Sequence, residues 1–465
     1  MNKSPCLLII LLLMSVTGLH LFSAVSANTY VSNIPNGYAT WTPDNNPYEL
    51  TTNLVINNGE TLNIQPGVVV HLNGYQIQVH GRLNAQGANN NKISFLNNGL
   101  SNSQIIFKAS SDQTCTINYG VFYSVPITIE GGAPKITNSY FTGTTSAAVI
   151  TINAGAASIT DNIITTQNPQ TAIHINTGYV TITQNILSGA RGQQGYGIYN
   201  TGSTAPITGN TITNFYTGIY TNKPGTIKQN TIINNVNDGI VTAGVLDVTV
   251  SNNVIAYNKC GISRDANIQN NLITHNTYGL WGQTSSSTIR YNNIIDNTDE
   301  SIHLTETGVN VIAIDNWWGT TDESTIRQTI SDYDPDLRPF LGTVTFTPFL
   351  TSFADTPRAI PEVVVPTPPP TPSSTPSPSA TVTPTPSSNP TYPWVYPTDS
   401  FYPEPTLFYP TMLPTESPNE PGFGGFSESD IITAVVIVIA IGVVVTIVFI
   451  VSRGQTNMRQ FNNPP

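Results

Sequence analysis

"GNTITNFYTGI" (209–219) returns as "SNNVIAYNKCGI" (251–262) and again as "QNNLITHNTYGL" (269–280). The three segments share an asparagine, an aliphatic residue two places on, a glycine–aliphatic pair at the end, and little else. Extending the alignment on that asparagine gives Asn138, Asn162, Asn185, Asn210, Asn230, Asn253, Asn271, Asn292 and Asn316, at intervals of 18 to 25 residues. A repeat of this length means stacked units, none of which can bury its apolar face alone.

Within a unit the pattern is apolar-x-x-Asn-x-(Ile/Leu), then a second asparagine and Gly-Ile, with strand-like alternation on either side of a turn. Neither segment is long enough for a helix. Uneven spacing fits a broad coil whose corners accept insertions. Each unit therefore reads as one turn of a parallel β-helix, three short strands per coil, with coils ~4.8 Å apart. The fold class is all-β, a right-handed parallel solenoid over 28–350 with a cap from about 315.

Asparagine at a corner has a physical cause. Its backbone tolerates the left-handed conformation of a sharp turn, and identical amides in successive coils can hydrogen-bond along the axis. A ladder is expected through Asn162, Asn185, Asn210, Asn230, Asn253, Asn271 and Asn292, and a second through Asn235, Asn258, Asn276 and Asn297. The aliphatic residues point inward as two stacks. One runs Ile164, Leu187, Ile212, Ile232, Ile255, Ile273, Ile294, and the other Ile173, Ile198, Ile219, Ile240, Ile262, Leu280, Ile302.

These units resemble the right-handed parallel β-helix repeats of pectate-lyase-like proteins, archaeal surface proteins and the maturation factor of nitrous-oxide reductase. "LVINNGETLNIQPGVVVHLNGYQIQVHGRLNAQG" (54–87) is similar to the opening coils of such domains, and "DNWWGTTDESTIRQTISDYDPDLRPFLGTVTFTPFL" (315–350) to a closing cap. The resemblance implies a fold that hosts many chemistries, among them polysaccharide lyases and hydrolases that use clustered carboxylates. In the cap, Thr320-x-x-Glu323 has the form of a capping box, and Ile326 and Ile330, four apart, predict a short amphipathic helix over the last coil.

The ends of the chain address it. "MNKSPCLLIILLLMSVTGLHLFSAVSA" (1–27) has the lysine, apolar run and small terminal residues of a cleaved secretory signal. "IITAVVIVIAIGVVVTIVFIV" (431–451) is uncharged and long enough to cross about 30 Å of hydrocarbon. Acidic residues precede it and Arg453 and Arg459 follow, so 452–465 is expected to be cytoplasmic and the bulk of the chain outside a single-pass cell-membrane anchor. Between body and anchor, 351–430 is rich in Pro, Ser and Thr and reads as an extended stalk.

Only 9% of the residues are charged and the net charge is −11. The few Lys and Arg are scattered, so nucleic acid is not an expected partner. No Asn-x-Ser/Thr acceptor with x other than Pro follows the signal segment, and N-linked sugars are not expected on the body.

In a stack of coils, residues meet by register rather than by sequence proximity. Asp238, Asp247, Asp265 and Asp296 fall at different corners or on non-adjacent coils in this alignment, which leaves no carboxylate pair at the ~5–9 Å used for acid/base work. His275 and Asp296 are the one contact that survives, both four residues after the repeat asparagine on neighbouring coils, with Tyr257 on the coil before. Asp332, Asp334 and Asp336 alternate as calcium ligands do, but the segment lacks the turn glycine and the acidic twelfth position. It reads as an acidic loop, and no cofactor is expected. His174 and His303 are six coils apart, too far to share an ion. Cys115 and Cys260 are too far apart for a disulfide and read as buried free thiols.

The residue after each Gly-Ile pair forms an outward column of His174, Tyr199, Tyr220, Val241, Ser263, Trp281 and His303. Rings spaced among amides are what sugar stacking uses, and a glycan or an envelope protein is the expected partner. Two functional readings follow. One is a non-catalytic surface β-helix that binds glycan or protein partners, and the other is a membrane-tethered polysaccharide lyase or glycoside hydrolase.

Overall fold

The structure, a computed structural model, describes residues 28–354 apart from 98–101, 143–145, 168, 193, 205 and 244–246. The signal segment, nearly all of the stalk, the membrane segment and the tail lie outside the described residues. Among the described residues no helix is long and apolar enough to cross a membrane.

The alternating, β-branched segments form short strands because each can bury one side chain in two while its backbone pairs with the next coil. Among the described residues, three parallel sheets of 13, 13 and 14 strands make a right-handed solenoid. Each strand pairs with its equivalent one coil on. Ile163–Thr165 pairs with Ile186–Ser188 in the first sheet, Thr171–Ile175 with Tyr196–Asn200 in the second, and Thr181–Thr183 with Ile207–Thr208 in the third. Pairing begins at Thr29–Val31, which lies on Tyr48–Leu50, so the stack opens a coil earlier than the 54–87 segment.

Both expected aliphatic stacks form, in register and fully buried. The apolar residue three places before each asparagine supplies a third, Ile159–Ile182–Ile207–Ile227–Val250–Ile268–Ile289. At ~1.5–3 kcal/mol for each aliphatic side chain removed from water, the three stacks make the core. Toward the N-terminus Phe95, Phe122 and Phe141 replace the aliphatics of the first sheet, with ring centroids 4.8 and 4.3 Å apart.

The asparagine ladder runs through the corner between the third and first sheets. Each Oδ1 accepts from both the backbone N–H and the Nδ2 of the asparagine one coil earlier: Asn230 donates to Asn253 at 2.9 and 3.0 Å, and Asn253 to Asn271 at 2.9 and 3.0 Å. The same Nδ2 also reaches a buried strand carbonyl, that of Ile227 for Asn253, at 2.9 Å. The column extends to Asn316, which accepts from Asn292. A second ladder joins Asn235, Asn258, Asn276 and Asn297 at the corner between the first and second sheets.

The structure corrects two details of the corner. The left-handed residue is the one before each ladder asparagine, such as Asp161, Gln184, Gln229, Asn252, Asn270 and Tyr291, with φ between 56° and 58°. The ladder asparagine follows the bend, and its task in each coil is to satisfy the amides that the bend exposes. Asn138 is itself one of the left-handed residues (φ 50°), and Ser139 occupies the ladder position, donating its N–H to Asn162.

The cap differs from expectation in its start. The helix Glu323–Gln328 is N-capped by Asp322, whose side chain accepts from the Thr325 amide, so Thr320 is not the cap. Ile326 is buried beneath it, while Ile330 belongs to the strand Ile330–Ser331, which lies on Ile302. The strand extends the second sheet past Glu300–His303, and Ile326 joins the core beneath the helix.

Candidate functional site

The outer face of the second sheet is built from the strands Thr171–Ile175, Tyr196–Asn200, Thr217–Thr221, Asp238–Val241, Cys260–Ser263, Tyr278–Trp281 and Glu300–His303. In each, an aliphatic residue points into the core. Its successor points out, giving the register His174, Tyr199, Tyr220, Val241, Ser263, Trp281, His303. That is the expected column. The structure adds a second one, because the residue before each Gly-Ile pair also reaches this face: the Tyr196 and Tyr199 rings lie 4.6 Å apart, and the Tyr278 and Trp281 rings 4.7 Å.

The rings therefore form two clusters. In the first, His174 and Tyr199 are 5.0 Å apart, Tyr199 and Tyr220 4.9 Å, and Tyr196 and Tyr220 5.9 Å. In the second, His303 stacks flat on Trp281 at 4.0 Å with Tyr278 5.4 Å away, and Glu300 hydrogen-bonds the His303 Nδ1. All of these rings are half-buried, with part of each left to solvent. Burial holds His174 below the ordinary imidazole range, so at neutral pH it is an uncharged ring. Burial, reinforced by Tyr199, Tyr220 and Asp238 nearby, raises the Tyr196 phenol, which stays a hydroxyl donor.

Between the clusters the two coils carry Asp238, Val241, Cys260 and Ser263. Asp238 is 8% exposed, and its carboxylate accepts from the Ser263 hydroxyl and from Asn237 Nδ2. Burial raises its pKa, against the lowering effect of those hydrogen bonds and of Lys259 and Arg264. Cys260 is a buried thiol pushed up to about 12 by burial, and is inert as a nucleophile. Cys115 is likewise buried and unpaired.

His275 and Asp296 are equivalent left-handed corner residues on adjacent coils (φ 55° and 52°), both exposed, and the His275 N–H donates to the Asp296 carbonyl at 3.1 Å. The His275 ring lies 5.0 Å from Tyr257, and its Nδ1 pairs with the Thr274 hydroxyl at 2.8 Å. Together with Arg191 and Lys259, His275 and Tyr257 line a cleft of about 450 Å³.

Asp247 and Asp265 correct the sequence reading. They lie two residues before Thr249 and Asn267, which pair, so they occupy equivalent positions on adjacent coils and line one cleft of about 450 Å³. Asp265 is committed to the loop of the next coil, its oxygens taken by the Thr284 amide (2.7 Å), the Thr284 hydroxyl (2.6 Å) and Ser287 (2.8 Å). Asp332, Asp334 and Asp336 do not act together. Asp332 is buried, not solvated, and binds Arg327 and the Val344 amide, whereas Asp334 closes a turn by accepting from the amides of Asp336 and Leu337.

Coil geometry and interior stacking define the class: the chain is a right-handed parallel β-helix protein. The family described as "right handed beta helix region" matches residues 125–264 and, in an overlapping match, 171–317. Among solved structures, the crystal structure of the periplasmic alginate epimerase AlgG is similar at 12% identity and a TM-score of 0.31, and two single-residue variants of that enzyme at 12% and 13% identity and a TM-score of 0.33. Each comparison covers 70% of this chain and 84% of the other. Likeness at this level carries no argument about chemistry. No curated protein matches the chain.

Proposed function

We propose that the protein is a surface-anchored, non-catalytic β-helix that binds glycan along the outer face of its second sheet. The observation that supports this reading is the pair of half-buried ring clusters, aligned along the axis on one face. Apolar faces of sugar rings pack on such side chains, and each stacking contact contributes roughly 0.5–1.5 kcal/mol. Tyr199→Ala combined with Tyr220→Ala should weaken glycan binding by about one to two powers of ten while leaving the melting midpoint close to that of the parent. A glycan array probed with the full-length protein in detergent checks this. No hit for the parent, or hits that survive the double substitution, would leave only a structural envelope role.

The hydrolase or lyase reading draws its support from Asp247 and Asp265 sharing a cleft. Incubation of the protein with neutral and uronate glycans, with and without calcium, separates retention from turnover, and turnover abolished by Asp247→Asn would favour the enzyme.

Display outside the cell, on a stalk over 351–430 held by 431–451, belongs to the same proposal. Protease added to intact cells should release the β-helix and leave a fragment holding the anchor and residues 452–465. Resistance of the β-helix to release would reverse the proposed orientation.

A further inference from the structure

The two ring clusters share the same pair of columns, yet those columns carry no ring on the two coils between them. From Tyr220 the outward column passes Val241 and Ser263 before reaching Trp281, and its neighbour passes from Asp238 through Cys260 to Tyr278. Three coil steps of ~4.8 Å place Tyr220 and Trp281 roughly 14 Å apart along the axis. The step itself is close to the length of one sugar unit.

The floor of this gap is polar, and its central group is buried. A carboxylate kept 8% exposed, with a serine hydroxyl and an asparagine amide as its partners, is costly to hold between two apolar platforms. Oxygens of Asp238 and Ser263 have lone pairs left for hydroxyl donors above them.

Resting on the glycan-binding reading, we propose that this face takes one extended, uncharged glycan chain that bridges both ring clusters, with Asp238 and Ser263 meeting its hydroxyls midway. The charges along the path support a neutral chain. Asp238 lies under its centre and Glu300 under its end, so a uronate would meet two carboxylates. Of the cations near the path, Arg264 pairs with Glu306 at 3.6 Å. A chain too short to span the gap engages one cluster, whereas a longer one makes its second contact intramolecularly.

The test uses the full-length protein in detergent and calorimetric titration with β-1,4-linked gluco- and xylo-oligosaccharides from dimers to octamers, with oligogalacturonates as the acidic series. Affinity should step up by about tenfold or more between trimers and hexamers, and either Tyr220→Ala or Trp281→Ala should remove the step. Asp238→Asn, nearly isosteric, should weaken long chains by about tenfold and leave dimers unchanged. Ser263→Ala gives a second reading of the same gap should the Asp238 variant fold poorly. Dimers that bind as well as octamers, a step that survives Trp281→Ala, or tighter binding of the acidic series would overturn the bridge while leaving glycan binding intact. Failure of every oligosaccharide to bind would overturn both.

Discussion

Asn253→Leu should destabilise the β-helix by about 3–5 kcal/mol, because a single side chain there satisfies several buried groups at once. Its Oδ1 takes two donors from Asn230, and its Nδ2 serves the Ile227 carbonyl and Asn271 Oδ1. Leucine leaves the Asn230 amide buried without a partner, at a cost of roughly 1–3 kcal/mol, and removes further bonds to Asn230 Nδ2, the Ile227 carbonyl and Asn271 Oδ1. Left-handed strain plays no part, since that conformation belongs to Asn252. Thermal or denaturant unfolding measures the loss, and hydrogen exchange should localise it to the amides of Asn230 and its neighbours. Asn176→Ala is the control. Its amide bonds Asn153 at 2.7 Å on the exposed surface, so its effect should stay within about 0.5 kcal/mol. Equal losses for the two variants would mean that the ladder contributes nothing special.

Gly261→Ala should cost about 2–4 kcal/mol, through overpacking where nothing can yield. The added Cβ would sit 2.4 Å from the Gly279 carbonyl oxygen, 3.1 Å from Ile273 and 3.2 Å from the ladder amide of Asn276. Gly218, Gly239 and Gly279 meet the same three kinds of obstacle or two of them. The register shows why other coils escape. Ala172 and Ser301 occupy the equivalent position, and neither faces a second-ladder asparagine on the coil that follows. The carbonyl of the next coil is the nearest obstacle to a Cβ at Gly261, with Ile273 and the ladder amide close behind, and the melting midpoint of Gly261→Ala should fall well below that of Ala172→Gly. If the two fall equally, the steric account is wrong.

The interior stacks and both ladders were legible because a solenoid repeats one side chain at one site, and repetition is visible in a sequence. The left-handed corner was not, since Asp161, Gln184, Asn252 and Tyr291 share a backbone angle and no chemistry. Eyes drawn to the asparagine assign the bend to the wrong neighbour. The outward column after Gly-Ile was legible by strand alternation, but alternation also hid its companion. Counting by twos sends Tyr196 and Tyr278 inward, yet both stand on the outer face against Tyr199 and Trp281. Asp247 and Asp265 each lie six residues before a ladder asparagine, Asn253 and Asn271, but 17 and 12 residues after the preceding one, so counting forward hid the match. Their spacing of 18 nevertheless equals that from Asn253 to Asn271.

The ladder also separates two lengths that most folds tie together. Rungs 18 residues apart and rungs 25 residues apart meet at hydrogen bonds of the same 2.9–3.0 Å, so contour can grow at one corner while pitch stays fixed. Such a molecule is a ruler whose graduations survive editing. Lengthening a surface loop leaves every mark in place, and duplicating a whole coil adds one mark without disturbing the others. Lineages of this chain can therefore revise what projects from the rod, or how far apart two patches stand along it, in single genetic steps that the interior never registers.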